Sequence, residues 1–385
     1  MNLSVENQKF IDETWEKVLK KMPYVAERNQ DKIPYTAVDG VYDDQAEKNV
    51  SMWTNGFWPG IMWLLYDATG EEIYKTAGDK SVEMLDRALF GEFDRLHHDV
   101  GFMWNTSAKA DYMITGNDRS RQRALHAASI LMGRYNIEGK FIRAWNKWHD
   151  VENTHGWTII DCMMNIPLLY WATKVTGDDR FKAVAMAHAD MAMRDHVRPD
   201  GSVYHICSHN PKTGEVEEYQ IGQGYAPESS WSRGQSWAVY GFVLSYIHTG
   251  KKEYLDTAKK VAHYFIANIV EDGYLPRVDF RAPEEPLWYD TTAAACTACG
   301  LIEIAKVVPE FEKKMYLNTA IKILKAIDEK FSDYNPDTDP ILGGGSERYF
   351  SPDNNLKGKH IPIIYGDYYF IEALYKLKGF DKLFW

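Results

Sequence analysis

Leu168-Leu169-Tyr170-Trp171-Ala172-Thr173-Lys174-Val175-Thr176-Gly177, followed by Phe181-Lys182-Ala183-Val184-Ala185-Met186-Ala187-His188, decides the fold. An apolar, helix-like run ends in Thr-Gly, and a second run with 3.6-type spacing begins almost at once. The glycine supplies a left-handed cap that stops the first helix, so the pair reads as an αα-hairpin. The same mark recurs at Thr69-Gly70, followed by Tyr74, and at Thr249-Gly250, followed by Tyr254. Thr115-Gly116 is a weaker copy, with Ser120 in the aromatic place. Successive marks lie 46, 61 and 73 residues apart (69 to 115, 115 to 176, 176 to 249). Units of about 60 residues fit roughly six times into the 385-residue chain. The segment from Leu301 to Ile327 looks like one more hairpin, with Pro309 at its turn. Period-two alternation is confined to short stretches such as Gly201–Ile206 and Gly273–Phe280, candidate loop strands. Six helical hairpins can form an open solenoid or a closed ring. Trp- and Gly-rich connections favour the closed form, because they would gather at one end around a cleft. The expectation is an all-α (α/α)6 barrel, one domain over residues 1–385.

Composition narrows the function. Net charge is −11, and no dense Lys/Arg run suggests a nucleic-acid surface. No stretch approaches the apolar length of a membrane helix. The N-terminal MNLSVENQKFIDETWEKVLKKM lacks a basic segment leading into an apolar one, so a cytoplasmic location is expected. Four cysteines are too few for a disulfide framework at this length, and Cys296-Thr-Ala-Cys299 reads as core helix rather than a metal motif. Aromatic residues make up 14%, so the rings either fill a large core or line a sugar cleft.

Three segments carry candidate chemistry. In Leu96-His97-His98-Asp99-Val100-Gly101-Phe102, Asp99 is a catalytic or sugar-binding carboxylate or a helix cap, and the histidines lack metal-motif spacing. In Trp157-Thr-Ile-Ile-Asp161-Cys-Met-Met-Asn165, a carboxylate stands inside an apolar helix-like run. Burial raises a carboxyl pKa, a second carboxylate raises it further, and a carboxyl protonated near neutrality can act as a general acid. The competing reading is an aspartate satisfied by backbone N–H groups or an arginine. In Gly222-Gln223-Gly224 through Trp231-Ser-Arg233-Gly-Gln-Ser-Trp237, Arg233 offers a planar fork suited to a carboxylate, or else a surface salt bridge. Trp53 in WTNGFWPG and His205 in SVYH have the same polar-aromatic flavour.

Together these pieces, with YDTTAAACTACG and YGDYYFIEAL, resemble the unsaturated glucuronyl hydrolases of glycoside hydrolase family 88. They run in family order from about residue 47 to the end. The resemblance implies an (α/α)6 barrel acting on oligosaccharides that end in a 4,5-unsaturated uronic acid, with no metal or organic cofactor. By residue-wise carry-over, Asp161 matches the general acid/base and Asp99 the second essential carboxylate. Trp53, His98, His205, Gln223, Trp231, Arg233 and Trp237 match substrate-binding positions. Lys357 falls near a lysine of the sulfate-recognising members, but Pro352 and Asn355 stand where serines are expected, and Tyr365 replaces a usual Trp. The resemblance leaves acceptor preference open and is compatible with a monomer or a homodimer. Competing readings are an unsaturated rhamnogalacturonyl hydrolase on the same barrel, a silent sugar-binding barrel, and an (α/α)6 epimerase, for which few histidines are available.

Overall fold

The computed structural model describes residues 3–147, 151, 153–349 and 358–385. Twelve main helices alternate between two concentric layers. The outer layer holds α1 (Val5–Asn29), α3 (Glu72–Met84), α5 (Asp118–Gly133), α7 (Asp179–Asp195), α9 (Lys252–Ile269) and α11 (Glu310–Phe331). The inner layer begins with α2 (Phe57–Thr69) and α4, which runs from Val100–Trp104 through one wide π-type turn, Asn105–Lys109, to Ala110–Thr115. It continues with α6 (Pro167–Thr176), α8 (Ser232–Thr249), α10 (Thr291–Val307) and α12 (Ile364–Leu377). Each inner helix touches the next, and α12 packs back on α2, so the ring closes. Helix α1 contacts α12 and α3, supplying the outer partner of the last inner helix from the start of the chain.

The two layers read differently in sequence. From Thr291 to Ala305 every residue of α10 is buried, and all of α12 is buried. Outer α9 buries one stripe, Tyr254, Ala258, Val261, Ala262, Phe265 and Ile269, and leaves its lysines outside. Full burial of an aliphatic or aromatic side chain contributes roughly 1.5–3 kcal/mol, so the ring is held mainly by its apolar inner layer. Gly70, Gly116, Gly177 and Gly250 all cap inner helices in the left-handed region, at φ of 71°, 76°, 73° and 72°. Thr115-Gly116, the weaker copy by sequence, is the same device as the other three. Pro309 precedes α11, as its hairpin reading expects.

The aromatic residues divide between the two expected uses. Phe57, Phe102, Trp237, Tyr368, Tyr369 and Trp385 are fully buried and pack along the barrel axis, with Trp385 stacked on Tyr369 at 5.9 Å. Trp53, Trp145 and Trp231 face a cavity at one end.

Two local expectations need correction. Asp161 lies not within a helix but in a 3-10 turn, Ile160–Met164, between β1 (Trp157–Ile159) and Pro167 at the start of α6. Strand β1 pairs antiparallel with β2 (Ile206–His209), which pairs with β3 (Val216–Gln220). This pairing holds the chain extended up to Ile159. The period-two stretch at 201–206 is largely strand approach, and residues 273–280 form only isolated bridges. Among the described residues no helix is long and apolar enough to cross a membrane.

Candidate active site

Every two-residue Thr-Gly turn joins an inner helix to the following outer one. The long connections run the other way, from outer to inner helices, and they build the opposite end. There a cavity of about 440 Å³ is lined by Trp53, Asp99, Trp145, Asp161, Gln223, Trp231 and Arg233, with Asp94, Arg95, His97, Asn146, Lys147 and Arg348. Its size suits one or two sugar rings. A larger groove of about 1020 Å³ runs outside the barrel over Phe90, Phe93 and Ile130; it contains neither Asp99 nor Asp161, so the chemistry belongs to the smaller cavity.

Strand pairing brings Asp161 to His205. The β1–β2 ladder extends one step to the Ile160 N–H, which donates to the His205 carbonyl at 3.1 Å. Their side chains then meet, His205 Nε2 standing 3.6 Å from Asp161 Oδ1. The Gln223 N–H donates to His205 Nδ1 at 3.1 Å, so neutral His205 carries its proton on Nε2, facing Asp161. Burial holds His205 well below the usual histidine pKa. Both Asp161 Oδ1 and His205 Nε2 are buried without a hydrogen-bond partner among the described residues. Buried polar atoms are rarely left so, and unsatisfied ones concentrate where a ligand completes them. Burial pushes the Asp161 carboxyl well above its ordinary range; the nearby Asp99 charge adds to this, and Arg233 opposes it.

Asp99 stands at the N-terminus of α4, but its carboxylate makes no cap hydrogen bond. It turns instead toward the cavity. The Asn165 Nδ2 donates to Asp99 Oδ1 and to the Asp161 carbonyl, both at 3.1 Å. The Trp145 indole also donates to Asp99. Asn165 Oδ1 accepts from the Phe102 N–H at 2.7 Å, which locks the amide orientation. Gly101 permits this close approach, because a Cβ there would strike the Asn165 backbone. Burial lifts Asp99 to about 7, although these hydrogen bonds favour its ionised form.

His97 Nδ1 and His98 Nε2 lie 3.3 and 3.4 Å from the two Asp99 oxygens. Burial lowers His97 to about 3 and His98 well below its usual range, so both are neutral contacts rather than ion pairs. Their donor atoms and Asp99 lie within 4.8 Å of one another, a set able to hold a divalent metal. His98 is fully buried and lies outside the cavity lining.

Arg233, in the first turn of α8, is already engaged. Its Nη1 donates to Asp290 Oδ2 and the Ser346 carbonyl, both at 2.5 Å, and Nη2 donates to the Glu347 carbonyl at 2.6 Å. Among the described residues, its Nε has no partner. The guanidinium lies 4.3 Å above the Trp231 ring, which packs 4.4 Å from the His205 ring. Arg233 is therefore engaged on one side; three of its five N–H groups are used, and it presents Nε–H, the second Nη2 N–H and a charge shared with Asp290. Trp237 is fully buried beneath the cavity against Phe102, at 5.1 Å, and does not line it. Lys357 lies outside the described residues. Trp145, Asn146 and Arg348 were absent from the sequence-based candidates; the Ala144-Trp145-Asn146 stretch has the polar-aromatic character of the other site segments, whereas Arg348 has no such signal.

Residues 25–246 match the Glycosyl Hydrolase Family 88 profile. The chain belongs to this family. Within family 88 it is 38% identical to the unsaturated glucuronyl hydrolase of Bacillus sp. (strain GL1), over 86% of this chain and 88% of that one. It is 32% identical to the unsaturated chondroitin disaccharide hydrolase of Streptococcus agalactiae serotype III (strain NEM316), over 97% and 93%. The crystal structure of the Bacillus sp. GL1 unsaturated glucuronyl hydrolase superimposes with a TM-score of 0.86 at 34% identity, covering 95% of this chain and 97% of that one. A Streptococcus agalactiae unsaturated glucuronyl hydrolase mutant complexed with dGlcA-GalNAc6S gives 0.80 at 29% identity, covering 97% and 93%. These family 88 structures share the (α/α)6 barrel.

Proposed function

We propose that this family 88 enzyme releases 4,5-unsaturated uronic acid from the non-reducing end of glycosaminoglycan-type oligosaccharides by hydrating the C4=C5 double bond, with Asp161 as acid and then base. The observation that carries the reading is the buried Asp161 carboxyl, with an unpaired oxygen beside the unpaired His205 Nε2–H. Burial raises the Asp161 pKa and so favours the protonated form that a general acid needs. That proton goes to C4, and positive charge develops at C5 and the ring oxygen. The new Asp161 carboxylate takes a proton from water as the water oxygen bonds to C5. The resulting hemiketal opens by breaking the C5–ring-oxygen bond, its hydroxyl proton passing to the ring oxygen, which leaves a ketone at C5 and a hemiacetal at C1; the hemiacetal then loses the acceptor with its hydroxyl as C1 becomes an aldehyde. One carboxyl serves both half-steps, so the carboxylate-separation rule for ordinary glycosidases does not apply.

His205 Nε2–H is placed to hold the sugar or the attacking water next to Asp161. Arg233 Nε and its residual charge favour the uronate carboxylate at the inner end, and Trp53 and Trp231 offer ring faces to the sugar. Asp99, through Asn165, fixes the Asp161 turn and keeps its pKa high. The test is loss of ultraviolet absorbance from unsaturated chondroitin and heparin disaccharides on adding enzyme, together with Asp161→Asn. Turnover by the parent and none by the folded variant is expected. Absorbance that persists across the panel, or a variant that retains substantial activity, overturns the assignment.

A further inference from the structure

His98 is fully buried, and neither of its ring nitrogens has a hydrogen-bond partner among the described residues. Buried polar atoms are rarely left so, and the hydration chemistry gives this ring no task. Its Nε2 faces Asp99 Oδ1 at 3.4 Å, without the alignment of a hydrogen bond. His97 Nδ1 faces the other oxygen, Oδ2, at 3.3 Å. The Asp99 N–H donates to that same Nδ1 at 3.5 Å, so this nitrogen carries a lone pair rather than a proton.

Two imidazole nitrogens and a carboxylate at these separations match the edges of a metal site. Zinc holds nitrogen and oxygen ligands at about 2.0–2.2 Å, so neighbouring corners of its tetrahedron stand about 3.4 Å apart. Adjacent histidines reach one carboxylate because His97 uses its near ring nitrogen and His98 its far one. One atom from each of the three residues lies within 4.8 Å of the others. Closing on an ion asks for a shift of about 1 Å. His97, with 24% of its side chain exposed, is the freest of the three to make it. Asp99 is already steadied by Asn165 Nδ2 and the Trp145 indole. His97 and Asp99 line the cavity and His98 does not, so an ion enters from the cavity and keeps its fourth coordination position toward the sugar site.

Two features limit the strength of such a site. The Arg134 charge acts on all three residues and opposes a cation. His98 Nδ1 also lacks the partner that orients the ligands of a resident metal. Binding is therefore reversible. Two nitrogens and one oxygen select zinc, copper or nickel over magnesium and calcium, which take oxygen ligands.

We propose that His97, His98 and Asp99 form a reversible site for zinc-class divalent ions, and that an ion held there switches the enzyme off by occupying the Asp99 carboxylate and the space in front of it. Binding stands on the geometry of the three residues alone, whereas the inhibition rests on the function proposed above.

The test uses the untagged full chain after EDTA treatment and dialysis. Calorimetry reads Zn2+ binding, visible absorption reads Co2+ ligation, and loss of ultraviolet absorbance from an unsaturated chondroitin disaccharide reads activity, with Mg2+ as the control ion. One zinc per chain is expected, with a rate at least roughly ten-fold lower at saturating zinc, recovery with EDTA and no effect of Mg2+. His98→Phe keeps a buried ring without the ligand, and His97→Gln removes a ligand at the less buried position. Each should weaken zinc by about ten-fold or more, and inhibition is taken as the ratio of rates with and without zinc within each variant. Asp161→Asn retains all three ligands and should bind zinc as the parent does. No zinc uptake overturns the site, as does uptake that survives unchanged in both histidine variants. Zinc bound through these histidines with an unchanged rate overturns the inhibition. Zinc bound through them by a chain that turns over no unsaturated disaccharide refutes the proposed reaction and leaves the metal site standing.

Discussion

Replacing Asp99 by asparagine separates two roles for that residue. The perturbation removes a charge while keeping a side chain that can still hydrogen-bond to Asn165 and Trp145. The two 3.1 Å links through Asn165 put Asp99 Oδ1 no more than about 6 Å from the Asp161 carbonyl. The Asp161 carboxyl lies beyond that carbonyl but within reach of the Asp99 charge; two like charges ~7 Å apart at an effective dielectric of ~20 repel by about 2.4 kcal/mol, or nearly two pKa units. The wetter edge of the cavity reduces this, so a change of one to two units is expected. The direction follows from the acid role. Asp161 must carry its proton to start the reaction, so activity falls as pH rises through its pKa. Asp99 titrates near 7, so its charge raises the Asp161 pKa mainly above that pH, and the two protons leave as a coupled pair. Without the charge, the alkaline limb of kcat/KM should move down by one to two units. The assay is the initial rate of absorbance loss at substrate well below KM, from pH 4.5 to 9. Asp99→Asn should therefore lose more activity at pH 8 than at pH 5. An alkaline limb that stays in place refutes the electrostatic argument and leaves Asp99 as a substrate-orienting group.

Three other outcomes follow from the same geometry. Arg233→Ala should lower stability by about 3–5 kcal/mol in urea unfolding, because it strands buried Asp290; an unchanged midpoint would restore Arg233 as a pure substrate anchor. Gly222→Ala places a Cβ on the His205 ring and should cut kcat about a hundred-fold, whereas Gly70→Ala, left-handed but with open space around it, should cost about 1 kcal/mol of stability and leave kcat unchanged. Comparable kcat losses in the two variants would count against the Asp161–His205 pairing. Asp99→Asn should raise Tm, and more at pH 8 than at pH 4. A carboxyl raised from 3.8 to about 7 opposes folding increasingly as pH climbs between those values, up to a ceiling of about 4 kcal/mol. An equal Tm change at both pH values would show that Asp99 is not held neutral by burial.

The fold was legible where local chemistry decides it. A helix that ends on Thr-Gly needs a left-handed residue, and the all-apolar inner runs differ visibly from the one-sided outer ones. Asp161 was legible as an anomaly, a carboxylate among Ile, Cys and Met, but its secondary structure was not. Strand β1 exists through pairing with residues nearly fifty positions away, and no local periodicity reports that. The engagement of Arg233 was hidden for the same reason: its partners Asp290, Ser346 and Glu347 lie over fifty residues downstream. Trp237 and His98 carry the right chemistry for a sugar site but sit one layer too deep. Side-chain type and spacing do not distinguish a residue lining a cavity from one supporting it.

Connection length carries functional information that residue type alone does not. Four inner helices end in Thr-Gly and a fifth in Val308-Pro309, so inner-to-outer passages span two residues and leave no room for a site. Every return passage is long: residues 30–56, 85–99, 134–166, 196–231, 270–290 and 332–363. Trp53, Asp99, Asp161, His205, Asp290 and Arg348 come one from each. The Thr-Gly repeat therefore marks the inactive end of the barrel, and the segments most distant from it in sequence pattern are the ones that converge. Six independent passages also explain how two carboxylates can be buried together. Asp99 and Asp161 are carried on different strings of chain, and Asn165 and Gly101 hold them close. Substituting a cavity-lining residue of one passage, such as Arg348, then changes that passage without disturbing the other five, so the lining can vary while the Asp161–His205 pair remains in place.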